Sequence, residues 1–174
     1  MKKILLFAII VIAVGHIVSA QGQYEILTER ANEKTFKGII SREILTNDTF
    51  FMKHWYGPNQ SSYSPNADAV AGLKKLSDSL QLVVFMGTWC EDSQFIIPKF
   101  YMLMDASGFP SNRITLIGVD RSKKTLSHLC EALNVINVPT IIVMKDGKEM
   151  GRVVEYGKSG MFDKDLAEIL NTIQ

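Results

Sequence analysis

The residues with the clearest chemical potential are a cysteine and a serine three positions apart, in the run Cys90-Glu91-Asp92-Ser93. An apolar, β-branched run at 82–86 precedes Cys90 and a helical pattern follows it, so Cys90 is predicted at the start of a helix. The amides and dipole of a helix N-terminus stabilise a thiolate, the nucleophilic form of cysteine. Glu91 and Asp92 act in the opposite direction, because nearby carboxylates disfavour another negative charge. The pattern predicts a candidate nucleophilic thiol with a hydroxyl one helical turn away, and the two opposing effects do not fix which of its protonation states is favoured.

The hydroxyl of Ser93 limits what the thiol of Cys90 can do. In a redox pair this position would hold a second cysteine that displaces a mixed disulfide, whereas serine can only donate a hydrogen bond to the thiolate. The other cysteine of the chain, Cys130, lies on the apolar face of a helix predicted over residues 126–133. It is interpreted either as a small buried hydrophobic residue or as a distant thiol that resolves adducts on Cys90.

The elements that must position Cys90 belong to a regular second half of the chain. Asn66 or Asp68 is predicted to cap a first helix, and Asp146-Gly147 is a hairpin turn signal. The resulting order β-α-β-α-β-β-α predicts an α/β fold with a mixed four-stranded sheet, in which strands separated by helices pair in parallel and the hairpin adds an antiparallel edge. The predicted strands are 82–86, 114–119, 140–144 and a run through Val153-Val154, and the last helix starts near Gly160 and buries Met161.

The preceding segment, residues 21–67, is predicted to be a helical N-terminal extension. Residues 21–34 are polar and weakly patterned, which suggests an arm. Ser41 and Asp48 are each placed to cap a helix. No function is predicted for this extension.

The first twenty residues have the layout of a secretory signal peptide. A positive start at residues 1–3 is followed by an apolar run at 4–14 and by the small-residue site 18–20. That run is shorter than the ~20 residues that span a bilayer. Residues 1–20 are therefore predicted to be removed, so that Gln21 is the first residue of the mature protein. The mature protein is predicted to be periplasmic or otherwise extracytoplasmic, and to contact a membrane only transiently, through this signal. An uncleaved N-terminal anchor is the alternative.

Composition excludes several other classes of function. The chain has 174 residues and a formal net charge of +1, with no dense stripe of Lys and Arg, so no nucleic-acid partner is predicted. It contains no Cys-x-x-Cys or His-x-x-x-His spacing, so no metal site is predicted, and no cofactor either.

Several motifs together resemble the thioredoxin family. Gly87-Thr88-Trp89-Cys90 followed by Ser93 resembles the active-site segment, and Pro98 is similar to the proline that kinks the following helix. Asn137-Val138-Pro139-Thr140 resembles the cis-proline loop, and Lys145-Asp146-Gly147-Lys148 the edge hairpin. The resemblance covers residues 68–174, and the run from Thr88 to Ser93 is similar to secreted thioredoxin-like proteins of Bacteroidetes-type bacteria.

This resemblance implies a thioredoxin fold and a set of site residues. Cys90 would be the nucleophile, and Trp89 would shape the surface beside it. Pro139, if cis, would lie against Cys90 and leave the backbone of Val138, at the entry to the strand from Thr140, to pair with an extended substrate. The implied partners are client proteins with disulfides or oxidised thiols, and an external thiol or redox partner.

Two departures from the family pattern shape the predicted function. Ser93 replaces the resolving cysteine, and Val84 occupies the position where many thioredoxins have a buried acid that assists proton transfer. We therefore expect an exported thiol–disulfide oxidoreductase of the monothiol type, acting in disulfide reduction, isomerisation or removal of thiol adducts. The alternative is a redox-inactive binding module that uses the peptide groove of the fold.

Overall fold

The computed structural model describes residues 23–30 and 33–173; the predicted signal peptide and Gln21 lie outside this range. The strands are β1 (Tyr24–Arg30), β2 (Glu33–Ile40), β3 (Leu80–Met86), β4 (Ile114–Gly118), β5 (Thr140–Lys145) and β6 (Lys148–Val154). The α-helices are α1 (Arg42–Asn47), α2 (Thr49–Phe51), α3 (Ala67–Leu76), α4 (Glu91–Ser107), α5 (Leu129–Ala132) and α6 (Phe162–Asn171), with a π-helical turn at Met52–Tyr56 and 3₁₀ turns at Pro58–Gln60, Ser111–Arg113 and Leu126–His128.

The sheet has six strands in the order β1-β2-β4-β3-β5-β6, and therefore two more than predicted. The extra strands, β1 and β2, come from a segment that was predicted as an arm and the start of a helical region. β2 pairs antiparallel with β4 and places Gly38 opposite Gly118. A side chain at Gly118 would collide with the carbonyl of Phe36, so the glycine permits this close strand approach. The mixed α/β architecture is otherwise the expected one.

The pairing of β5 also differs from the expectation. β3 and β4 are parallel, but β5 is antiparallel to β3 as well as to β6. The predicted helix over 126–133 is only the four residues of α5, and Ser127 and His128 before it have positive φ. A helix of that length rises about 6 Å. It is too short to return the chain to the end of the sheet where β3 and β4 begin, as a parallel crossover requires. β5 therefore starts at the end of the sheet where β3 and β4 finish, and runs antiparallel to them.

Helices α3, α4 and α6 pack in one apolar cluster with the side of β3 that carries Leu82 and Val84. Asn66, one of the two predicted caps, accepts from the backbone amides of Asp68 and Ala69 at the start of α3. Asp48 caps α2 as predicted, accepting from Phe50 and Phe51. Helix α6 begins two residues later than predicted. Its N-cap residue Met161 is exposed, not buried.

One contact between the extension and α4 has a clear chemical cause. In an α-helix the carbonyl of residue i accepts from the amide of residue i+4, and proline has no amide hydrogen. Pro98, inside α4, therefore leaves the carbonyl of Gln94 without its helical donor. Asn59 supplies the missing donor, its Nδ2 lying 3.1 Å from that carbonyl. The extension thus completes the hydrogen bonding of the helix that follows Cys90.

We expect Asn59→Ala to lower the free energy of unfolding by about 1 kcal/mol, the net value of such a bond. In a Pro98→Ala background the same change should cost less, because the new backbone amide can donate to Gln94. Urea unfolding of the two single variants and the double variant measures this coupling. An equal cost of Asn59→Ala in both backgrounds would contradict the compensation.

Candidate active site

Cys90 is the N-cap residue of α4, as predicted. Its backbone is extended, its carbonyl accepts from the amide of Gln94 at 2.9 Å, and its amide donates to Gly87 at 3.0 Å. The side chain is partly exposed, and its thiol donates to the carbonyl of Val138 at 3.3 Å. The thiol therefore lies at a helix N-terminus, accessible to solvent and against the loop that precedes β5.

That loop contains a cis peptide bond between Val138 and Pro139, which confirms the expected isomer. The carbonyl of Pro139 accepts from the amide of Glu155 at 2.7 Å, and the hydroxyl of Thr140 donates to the carbonyl of Asn137 at 2.7 Å. Val138, Pro139 and Thr140 are all buried. The structure thus brings Cys90 and the predicted cis-proline loop together, while the substrate-binding roles of these residues remain predictions.

Ser93 lies one turn into α4 and is completely buried. Its Oγ accepts from the amide of Gly87 at 3.2 Å, whereas the thiol of Cys90 donates to Val138 and not to Ser93. A hydroxyl that accepts one hydrogen bond keeps its own proton for donation. Ser93 is therefore placed to hold the turn before Cys90 and retains a donor for a sulfur anion.

Trp89 is fixed beside Cys90 by contacts that its local sequence does not reveal. Its indole Nε1 donates to the carbonyl of Val119 at 3.0 Å, and the guanidinium of Arg121 lies 5.3 Å from the ring centroid. Arg121 in turn forms an ion pair with Glu33 at the start of β2. Sequence reasoning missed Arg121 and Glu33, because two single charges far apart in the chain carry no local signal.

The extension also supports the segment that carries Cys90. The hydroxyl of Thr88 donates to the carbonyl of Lys34 in β2 at 2.8 Å. The amide side chain of Gln94 donates to the carbonyl of Thr88 at 2.7 Å. Thr88 therefore connects the active-site turn to β2, and Gln94 connects the first turn of α4 to Thr88. Neither contact was predicted.

Cys130 lies in the same apolar cluster as Val138, with Trp89 and Cys90 packed against that cluster. It is 3% exposed, and neither cysteine forms a disulfide within the described part of the chain. Burial, aided by the carboxylates of Glu131 and Asp120, raises the pKa of the Cys130 thiol to about 11. These observations favour the core interpretation of Cys130, and its participation in resolving adducts stays a prediction.

We expect Cys130 to resist alkylation in the folded protein at pH 8 and to react only as the pH approaches 11. Burial disfavours the thiolate, so stability should also fall as the pH rises from about 9 to about 11, where the unfolded chain loses a proton that the folded chain keeps. Mass spectrometry after iodoacetamide treatment should find one modified cysteine in native protein and two in guanidinium chloride. Rapid modification of Cys130 at pH 8 would contradict this expectation.

Val84, at the position where many thioredoxins have a buried acid, is completely buried in the core.

Within residues 23–30 and 33–173, no group of His, Cys, Asp and Glu side chains is arranged to hold a metal ion. In the same part of the chain, no helix combines the length and apolar character needed to cross a membrane.

Comparisons with known proteins identify relatives of this chain. The Thioredoxin family model matches residues 68–168. Thioredoxin from Chlamydia pneumoniae is 32% identical over 97 residues, which are 55% of this chain and 84% of that protein. Thioredoxin from Staphylococcus aureus is 32% identical over 98 residues, or 56% of this chain and 85% of that protein.

Solved structures of similar chains were also found. The reduced thioredoxin pre-protein of Schistosoma mansoni is 22% identical, covers 64% of this chain and 95% of its own, and has a TM-score of 0.41. Thioredoxin O2 of Arabidopsis thaliana in the oxidised state is 23% identical, covers 60% of this chain and 83% of its own, and has a TM-score of 0.39. The family model alone covers more than half of the sequence, and the chain belongs to the thioredoxin family.

Proposed function

We propose that this protein is an exported thiol–disulfide oxidoreductase that acts through Cys90 alone. Membership of the thioredoxin family supports thiol–disulfide oxidoreductase chemistry and partners that contain disulfides. The single observation that carries the monothiol proposal is the buried serine, Ser93, in the place of a second thiol. The only other described cysteine is Cys130, whose raised pKa disfavours its thiolate.

The first step is attack of the Cys90 thiolate on one sulfur of a client disulfide. A bond forms between Cys90 and that sulfur, the client S–S bond breaks, and the second client sulfur leaves as a thiolate that takes a proton from solvent. The amides at the start of α4 stabilise the attacking anion, and the hydroxyl of Ser93 can donate to it. The carbonyl of Val138, which accepts from the neutral thiol, is adjacent to the point of attachment.

The second step regenerates Cys90 without a protein dithiol. A thiolate from the client or from an external thiol attacks the client sulfur of the mixed disulfide, forms a new disulfide with it and releases the Cys90 thiolate. With a client thiol the net reaction is isomerisation. An external thiol leaves the client sulfur in a mixed disulfide with it. A second external thiol then attacks the external sulfur, releases the client thiol and forms the disulfide of the external thiol, which completes reduction. In adduct removal, Cys90 attacks the sulfur of the adduct, the client sulfur leaves as a thiolate, and an external thiol then takes the adduct from Cys90 as a disulfide.

A trapping experiment tests this proposal. The model client has one cysteine, held in a mixed disulfide with 5-thio-2-nitrobenzoate, so that no second client thiol can resolve the adduct. Acid-quenched samples of its reaction with the reduced native protein should contain a Cys90–client mixed disulfide, which disappears only when an external thiol is added before the quench. Cys90→Ala should form none, and Cys130→Ala should behave like the native protein. Absence of any Cys90 adduct, together with alkylation of Cys90 at the rate of an ordinary free thiol, would favour the binding-module alternative.

Export is the part of the proposal that rests on residues 1–20. Their positive start, apolar run and small-residue site support cleavage before Gln21 and an extracytoplasmic location. Mass spectrometry of the protein purified from its native cells should find an N-terminus at or near Gln21. An intact Met1 would overturn this part and leave the thiol chemistry untouched.

A further inference from the structure

A cavity of about 310 Å³ lies between the active-site segment and the N-terminal extension. Thr88 and Gln94 line it on the side of the active site. The remaining lining residues belong to the extension: Glu33, Lys34, Phe50, Phe51, His54 and Trp55. All of these extension residues precede residue 68, where the family match begins. The cavity is therefore a feature that this chain adds to the family's domain.

Aromatic rings dominate the extension side of the cavity. The rings of Phe50 and His54 are tilted by 30° with centroids 4.3 Å apart, and Phe50 is 49% exposed. Phe51 and Trp55 lie deeper, with ring centroids 5.1 Å apart. The exposed rings of Phe50 and His54 would be stabilised by another ring that covers them in a stacked or edge-to-face arrangement. The lining thus favours an aromatic ligand.

One of the residues that line the cavity, Trp55, also carries a buried polar atom without a partner among the described residues. Trp55 is 4% exposed, and its indole Nε1–H makes no hydrogen bond within the described part of the chain. An unsatisfied buried donor costs about 1–3 kcal/mol, so such groups are rare in native proteins. An oxygen brought in by a ligand would satisfy it, which points to an aromatic group that carries an oxygen acceptor.

The position of the cavity relative to Cys90 indicates that the aromatic group belongs to a client attached at Cys90. Thr88 is two residues before Cys90 and Gln94 is four residues after it. An extended chain advances about 3.3 Å per residue, so a polypeptide attached at Cys90 reaches the cavity within about four residues. The volume is at the lower limit for ligand pockets and is suited to one large side chain.

We propose that this cavity binds a tyrosine side chain of the client, located within about four residues of the client cysteine that joins Cys90. The proposal rests on the proposed function, because the client must first be held at Cys90. The N-terminal extension then acts as a selectivity element. It favours client cysteines that are followed or preceded by an aromatic residue.

A set of peptides tests this selectivity. Each peptide has one cysteine in a mixed disulfide with 5-thio-2-nitrobenzoate and one tyrosine at a defined distance from it, up to four residues on either side. Attack of Cys90 on the peptide sulfur releases the coloured thiolate and gives the rate directly. At one spacing we expect a rate about threefold to tenfold above that of the matched alanine peptide, the usual value of one aromatic pair.

Three variants then test which residues cause the faster reaction of the tyrosine peptide. Phe50→Ala should remove the advantage of the tyrosine peptide. Trp55→Phe removes the indole donor together with part of the ring system, and should reduce the advantage to that of a matched phenylalanine peptide measured in parallel. Phe95→Ala changes a comparably exposed aromatic residue outside the cavity and should leave the advantage intact. Circular dichroism confirms that each variant is folded.

Failure of the cavity proposal and failure of the proposed function give different results in this experiment. Equal rates for tyrosine and alanine peptides at every spacing would overturn the cavity proposal and leave the proposed function standing. An unchanged tyrosine advantage in Trp55→Phe would overturn the assignment of an oxygen acceptor at the indole. Absence of release from every peptide would overturn the proposed function and this proposal with it.

Discussion

Ser93→Cys should convert the protein from a monothiol into a dithiol enzyme whose mixed disulfides are short-lived. Cys90 is the N-cap of α4 and position 93 lies one turn further on, so the two Cα atoms fall within disulfide reach. The new thiol would attack the mixed disulfide intramolecularly, at an effective concentration far above that of a millimolar external thiol. We expect the adduct lifetime to shorten on the order of 100-fold. Stopped-flow mixing with acid quench and mass spectrometry measures it.

Two control variants make this result specific. Cys90→Ala in the Ser93→Cys background should form no adduct and no intramolecular disulfide, because the nucleophile is absent. Cys130→Ala in that background should leave the lifetime unchanged, since Cys130 is buried with a raised pKa. Native adducts that already decay as fast as those of Ser93→Cys would mean that Cys130 or another group resolves them, and the monothiol mechanism would then be wrong.

Gly118→Ala should detach the N-terminal hairpin from the sheet. A Cβ at this position collides with the backbone carbonyl of Phe36 in β2, which no change of side-chain rotamer can relieve. We expect the free energy of unfolding to fall by about 3 kcal/mol, at the upper end of overpacking costs. Because β2 also contacts the active-site turn through Thr88, detachment should loosen the segment around Cys90.

Hydrogen exchange and urea unfolding test this expectation together. In Gly118→Ala the amides of Glu33–Ile40 should lose protection before those of β3 and β5. Thr115→Val, an exposed change on the same strand, should alter the free energy of unfolding by less than about 0.5 kcal/mol. Unchanged stability of Gly118→Ala with full protection of β2 would show that β2 pairs with β4 without needing the glycine.

Several features were predictable because their causes are local. The apolar run before Cys90 and the helical pattern after it place the thiol at a helix N-terminus, which the structure confirms. Asp146 and Gly147 both have positive φ, as the hairpin between β5 and β6 requires. Asn66 and Asp48 cap their helices through amides two and three residues away. Each of these features is encoded within a few consecutive residues.

The N-terminal strands, the short α5 and the cavity depend instead on residues far apart in the chain. β2 is a strand because β4 offers it a partner edge, and the approach depends on Gly118, about 80 residues later in the sequence. Residues 21–34 are polar and only weakly patterned in the sequence. The ion pair of Arg121 with Glu33 and the bond from Asn59 to Gln94 likewise join distant segments. Local propensity says nothing about such pairings, because their free energy is gained only when the tertiary fold brings both partners together.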